Sequence, residues 1–143
     1  MTDCIVLLVD DEVEFVDALA DRLEARGLQV VQAHDGKSAL KVAEGRVFDA
    51  IVLDMAMPGM DGLETLEGLL QINPDLQVIL LTGQATLEQA ATAIRIGALD
   101  LLEKPADIET LVAKIEMAAT KRWASEEKRI EEKVADIMRK RGW

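Results

Sequence analysis

A few polar residues sit where apolar runs end. Asp10, Asp11 and Glu12 directly follow the run 4–9, Asp54 follows 48–53, Thr82 follows 76–81, and Lys104-Pro105 lies just beyond 99–102. If the runs are adjacent strands, these groups converge on one rim. Unpaired carboxylates resist that: two like charges ~4 Å apart repel by about 4 kcal/mol at an effective dielectric near 20. A hard divalent cation relieves the repulsion, and a site with few protein oxygen donors suits Mg²⁺. Asp10, Asp11 and Asp54 therefore read as a metal site. A carboxylate nucleophile, a metal, a hydroxyl donor in Thr82 and an ammonium in Lys104 together suit phosphoryl chemistry, which needs positioning and charge neutralisation. Each member also has a plain reading. Glu12 is expected to cap the following helix, Thr82 alone reads as a helix cap, and Lys104 alone as a solvated side chain. One such group at each of four strand ends is harder to explain plainly.

The elements that must position them follow from periodicity. The runs 4–9, 28–33, 48–53, 76–81 and 99–102 are rich in Val, Ile and Leu with little polar alternation, as in strands buried on both faces of a parallel sheet. Helical spacing predicts helices over 12–26, 37–44, 63–72 and 87–96, and a fifth from a cap at Asp107 through Ala119. Gly27, Gly45 and Gly97 stop three of them, and Thr86 caps the fourth. Strand and helix alternate five times, which predicts an α/β fold with helices on both sheet faces. Ligands of such folds bind beyond the carboxyl ends of the strands.

Composition bounds the rest. The chain of 143 residues has a size suited to one core, and half of its residues are hydrophobic. A single Cys excludes an internal disulfide framework and a Cys-based zinc site. No apolar run approaches a membrane span. Thr2-Asp3 does not open a secretory signal, so a cytoplasmic location is expected. The net charge of −11 divides unevenly: residues 1–113 carry −14 and residues 114–143 carry +3. The acidic body is a poor match for nucleic acid or anionic membrane.

The residues as a set resemble the receiver domains of two-component response regulators. The matching segments are Val6-Leu7-Leu8-Val9-Asp10-Asp11-Glu12, Val52-Leu53-Asp54-Met55-Ala56-Met57-Pro58-Gly59-Met60-Asp61-Gly62, Leu81-Thr82-Gly83, and Gly97-Ala98 through Lys104-Pro105. The resemblance covers about residues 1–120. It implies a flavodoxin-like, doubly wound, five-stranded parallel sheet of order 2-1-3-4-5 with five helices. It implies that Asp54 accepts a phosphoryl group from a sensor histidine kinase. Asp11 would bind Mg²⁺ directly, Asp10 mainly through water, and the main-chain carbonyl of Ala56 would complete the protein ligands. Lys104 would pair with the phosphoryl oxygens, Thr82 would move to hydrogen-bond them, and the Lys104–Pro105 peptide would be cis. The face of the fourth helix, fifth strand and fifth helix would then change shape. One departure matters: Leu101 stands where the family usually has Tyr or Phe, so an aromatic rotamer switch is impossible there.

Other residues carry plain expectations. His34 is expected on the surface, far from the acidic rim. Cys4 is expected to act as a small buried apolar group. Met55, Met57 and Met60 suit packing around the acceptor loop. Gln84, two residues past Thr82, could influence the access of water to an acyl phosphate, although surface polarity explains a Gln equally well.

The expected domain boundary lies at 121, with 122–143 a helical extension. Trp123, Ile130 and Ile137 recur every seven residues, and Val134 and Met138 widen the stripe. Three readings stay open: tails that pair as a short coiled coil, a tail folded back on its body, or the linker stub of a longer transcription regulator. A homodimer through this helix or through the fourth-helix, fifth-strand, fifth-helix face is one expected partner. Direct nucleic-acid binding is not expected. Two other functional classes fit the residues less well. An aspartate-nucleophile phosphatase of the haloacid dehalogenase type wants Asp-x-Asp after its first strand, and here Asp10-Asp11-Glu12 stands instead. A degenerate receiver serving as a scaffold would not need all of Asp10, Asp11, Asp54, Thr82 and Lys104.

Overall fold

The computed structural model describes residues 4–57, 59–84 and 86–142. Thr2-Asp3, Pro58 of the loop after Asp54 and Trp143 lie outside them. The elements are β1 (Ile5–Val9), α1 (Val13–Glu24), β2 (Gln29–Ala33), α2 (Gly36–Gly45), β3 (Ala50–Asp54), α3 (Gly62–Ile72), β4 (Val78–Thr82), α4 (Leu87–Ile96), β5 (Asp100–Glu103) and α5 (Ile108–Lys140). The strands form one sheet of order β2-β1-β3-β4-β5, and every pairing is parallel.

The two faces of the sheet explain the unbroken apolar runs. Leu7, Val9, Ile51, Leu53, Val78 and Leu80 point to one side, against Ala39, Ala43, Leu66, Leu69 and Ala93 of α2, α3 and α4. Val6, Leu8, Val52, Ile79 and Leu81 point to the other, against Val16, Ala20 and Leu23 of α1 and Leu111, Ile115 and Ala118 of α5. Alternate residues thus meet helices on opposite sides, and neither side is polar. Cys4 lies buried in the second layer, and burial pushes its thiol up to about 11.

Short polar side chains start the helices. Asp35, Asp61, Thr86 and Asp107 accept hydrogen bonds from the main-chain N–H groups of Ser38, Glu64, Gln89 and Thr110. The Thr86 N–H in turn donates to Gln89 Oε1, completing a reciprocal cap. Glu12 departs from expectation: it occupies the position before α1 without making a side-chain cap bond. The N–H of Glu12 donates instead to Asp10 Oδ1 at 3.0 Å, and its carboxylate turns toward Lys104 at 3.8 Å.

The last helix continues past the expected boundary at 121. It runs unbroken for 33 residues, about 50 Å at 1.5 Å per residue, and Ala119 is its last buried residue. Just past that point it is pinned to the amino-terminal end of the sheet. Asp49, buried ahead of β3, accepts from the Ile5 N–H at 2.9 Å and from Trp123 Nε1 at 2.8 Å. Arg122 lies 3.5 Å from the same carboxylate, and Arg129 pairs with Asp75 at 2.7 Å. Ile130, Val134, Ile137 and Met138 remain exposed.

Candidate phosphoryl-acceptor site

Parallel pairing places all five carboxyl ends on one rim. Val9 pairs with Leu53, Asp54 with Leu81, and Thr82 with Glu103, so the residues that end or follow β1, β3, β4 and β5 are neighbours there. Asp10, Asp11 and Asp54 each present a carboxylate oxygen within 4.8 Å of the others. Asp10 and Asp54 are buried and Asp11 is exposed.

Lys104 links the buried pair. Its Nζ lies 2.8 Å from Asp10 Oδ2 and 3.4 Å from Asp54 Oδ1. Its main-chain N–H donates to the Thr82 carbonyl at 2.7 Å, which ties β5's exit to the end of β4. The Lys104–Pro105 peptide is cis. The Lys104 ammonium also sits 4.5 Å from the centroid of the Phe15 ring, in the first turn of α1. Nothing in the sequence distinguishes Phe15 from the rest of α1's apolar face, except that it opens the helix that follows the acids.

The electrostatics follow from this crowding. Burial raises the Asp54 carboxyl above its usual value and the charge of Asp10 raises it further, while Lys104 and the Ala56 N–H oppose the rise. Burial pulls the Lys104 pKa down, but the hydrogen bond and charge of Asp10, then Asp54 and Glu12, push it above the usual value. Asp54 is therefore a desolvated carboxyl group crowded by Asp10 and faced by one cation, Lys104.

The loop after Asp54 is held by close packing. The Ala56 N–H approaches Asp54 Oδ1 at 3.4 Å. Gly62 donates its N–H to the Met55 carbonyl at 2.9 Å, and a Cβ there would stand 2.4 Å from Met55 Cα. Thr82 is buried, and its Oγ1 accepts from the Gln84 N–H at 3.2 Å. Thr82, Gln84, Ala56 and Asp61 line a cavity of about 110 Å³ next to the loop after Asp54.

His34 is a correction. It is exposed as expected, but it is not remote from the rim: its Nδ1 lies 3.2 Å from the Asp10 carbonyl. The reason is topological. β2 pairs in register with β1, Val9 against Ala33, so the residue after β2 must neighbour the residue after β1.

The donor set suits a hard cation. Three carboxylates converge, no nitrogen or sulfur ligand joins them, and Asp11 has no hydrogen-bond or ion-pair partner among the described residues. This is the chemistry of Mg²⁺.

Comparison with known proteins agrees with this geometry. A sequence model of the response regulator receiver domain matches residues 6–116. The transcriptional regulatory protein ZraR of Escherichia coli (strain K12) is 36% identical over 113 residues, which are 79% of this chain and 26% of that protein. The DNA-binding transcriptional regulator NtrC of the same strain is 37% identical over 114 residues, 80% of this chain and 24% of that one. The chain thus spans about a quarter of the length of these curated relatives. A CheY-like receiver domain protein from Methanospirillum hungatei superposes with a TM-score of 0.81 at 28% identity, over 85% of this chain and 98% of that one. A response regulator from Burkholderia pseudomallei, solved with a phosphorylated aspartic acid, a calcium ion and citrate, gives a TM-score of 0.76 at 31% identity. It covers 98% of this chain and 86% of its own.

Proposed function

Because this chain belongs to the response regulator receiver domain family, we propose that Asp54 accepts a phosphoryl group from the phosphohistidine of a sensor kinase. The observation that carries this is a buried Asp54 carboxylate clustered with Asp10 and Asp11 and faced by Lys104 at 3.4 Å. The similar Burkholderia protein, which carries a phosphorylated aspartic acid, supports the same reading.

The reaction is a displacement at phosphorus. An Asp54 oxygen forms the new P–O bond as the P–N bond to the kinase histidine breaks, and the imidazole leaves with the electron pair and takes up a proton. Asp10, Asp11, Asp54 and the Ala56 carbonyl would hold Mg²⁺. When bound, Mg²⁺ supplies neutralisation of the oxygens in flight. Lys104 meets the remaining phosphoryl charge, and Thr82 turns its hydroxyl from the Gln84 N–H toward the new oxygens. Phosphorylation adds about −1.5 to −2 charge and three strong acceptors. Moving a switch from 1:99 to 99:1 needs about 5.5 kcal/mol, within reach of a few charge-assisted hydrogen bonds at roughly 1.5–3 kcal/mol each. With Leu101 half-buried on β5, the movement would pass through aliphatic packing to the face of α4, β5 and α5.

Residues 1–121 are the proposed signalling unit and 122–143 its output extension. The exposed stripe Ile130, Val134, Ile137 and Met138 supports pairing with a second copy, and the matching relatives support a role within a larger transcription regulator. Among the described residues no helix is long and apolar enough to cross a membrane.

Intact mass after incubation with Mg²⁺ and a small acyl phosphate tests the acceptor. One phosphoryl group is expected on the parent protein, and none on Asp54→Asn or in the presence of a chelator. An equal adduct on the variant would overturn the assignment. Sedimentation of the full chain and of residues 1–121 tests the pairing, which predicts a dimer only for the full chain.

A further inference from the structure

We propose that Phe15 is a positioning residue for Lys104: its ring face holds the ammonium beside Asp54 while the carboxylates around it change partners. The inference rests on the reading of Asp54 as acceptor.

The neighbours of the ammonium divide into two kinds. Asp10 at 2.8 Å, Asp54 at 3.4 Å and Glu12 at 3.8 Å are carboxylates. The fourth neighbour is the Phe15 ring, 4.5 Å from Nζ to its centroid, inside the range of a cation–π contact. A metal bound by Asp10 and Asp54 takes their charge, and Glu12 is exposed. The attraction that places Lys104 in the metal-free protein is therefore weakened just before the phosphoryl group arrives. Among its described neighbours, the ring is neither a candidate metal ligand, as Asp10 and Asp54 are, nor solvent-exposed, as Glu12 is.

The ring is itself well placed to hold. Phe15 lies in the first turn of α1, half-buried against the layer that contains Leu81 and Ile108. With Leu19, Leu81, Pro105 and Leu111 it walls an apolar groove of about 200 Å³. The other end of Lys104 is fixed by its main-chain bond to Thr82. Between the two anchors lies a four-carbon stem whose freedom would otherwise spread the charge over many rotamers. A ring face binds an ammonium less tightly than a carboxylate does, so the charge is kept near yet stays free to move onto phosphoryl oxygens.

Mono-, di- and trifluorinated phenylalanine at position 15 drain the ring face of negative potential at nearly constant shape. Phosphorylation by a small acyl phosphate at saturating Mg²⁺ is expected to slow stepwise along the series, by about tenfold in total. Phe15→Leu should lie at the slow end and Phe15→Tyr near the parent. The Mg²⁺ dissociation constant should stay within about twofold, since the ring supplies no metal ligand. A second reading comes from the metal-free protein by NMR: the ring current should shift the Lys104 ε-protons upfield, and Phe15→Leu should abolish the shift. Rates that are flat along the series, or Lys104 ε-protons at their ordinary position, would overturn the proposal. A parent protein that accepts no phosphoryl group would instead overturn the acceptor reading, and the ring-current measurement would still decide whether Phe15 holds the ammonium.

Discussion

Replacing the Asp54 carboxylate should make the metal-free protein more stable. Asp54 is 4% exposed, and its ionised form must be desolvated. With oxygens up to 4.8 Å apart, its repulsion from Asp10 is about 3.5 kcal/mol at an effective dielectric near 20. Lys104 at 3.4 Å attracts it by about 5 kcal/mol on the same scale. These two nearly offset, which leaves desolvation, an effective cost of several kcal/mol for a buried ion, only partly repaid by the Ala56 N–H. Asp54→Asn keeps the acceptor oxygen and removes the charge. A net gain of about 1–2 kcal/mol is expected, or roughly 4–8 °C in melting temperature. The pH dependence has a definite sign. Because the folded carboxyl is raised above its ordinary value of 3.8, the neutral form favours folding below that value. That contribution is lost as pH rises through the raised value. The advantage of the variant should therefore grow as pH rises through the raised value and vanish toward about pH 3.8. The assay is urea or thermal unfolding in chelator at several pH values. A variant less stable at pH 7, or an advantage of equal size in acid, would refute the reasoning.

Other substitutions probe the same physics. Lys104→Met removes the cation from buried Asp10, so the metal-free protein should lose about 3 kcal/mol. Its Mg²⁺ affinity should rise, read by titration, because no ammonium then competes for Asp10 Oδ2. Asp49→Ala strands the Ile5 N–H and Trp123 Nε1, which should cost about 2 kcal/mol and speed hydrogen exchange along residues 120–130, while Asp49→Asn should retain part of the protection. Gly62→Ala would force a Cβ to within 2.4 Å of Met55 Cα and should destabilise by about 3 kcal/mol or more, read as a lower urea midpoint with weakened Mg²⁺ binding.

The rim was legible in the sequence because parallel strands leave all their carboxyl ends on one side, so an acid, a hydroxyl and a lysine after apolar runs must meet. The strands themselves begin one or two residues later than those runs, since lead-in residues such as Cys4, Leu28 and Leu76 are also buried. Asp54 and Thr82 consequently end their strands rather than follow them. His34 reaches the rim for the same reason that gathers Asp10 and Asp54: β2 is parallel and in register with β1, so the edge strand ends there too. The Asp49 anchor left a signal that went unread: an acid inside the apolar run 48–53 needs a buried partner, and Trp123 on the helix stripe supplies an indole N–H. Glu12 and Phe15 were legible only as a cap candidate and an apolar residue. Their approach to Lys104 depends on how α1 leaves the rim, which periodicity does not specify.

The most direct measurement of the central claim locates the phosphoryl group chemically. Borohydride reduces an acyl phosphate on an aspartate to homoserine, so protein treated with Mg²⁺ and a small acyl phosphate, then reduced and digested, reports the modified residue by peptide mass. The account predicts homoserine at position 54 alone, dependent on Mg²⁺ and absent without the phosphodonor. Homoserine at Asp10 or Asp11, or an unmodified Asp54 peptide from fully folded protein, would contradict it.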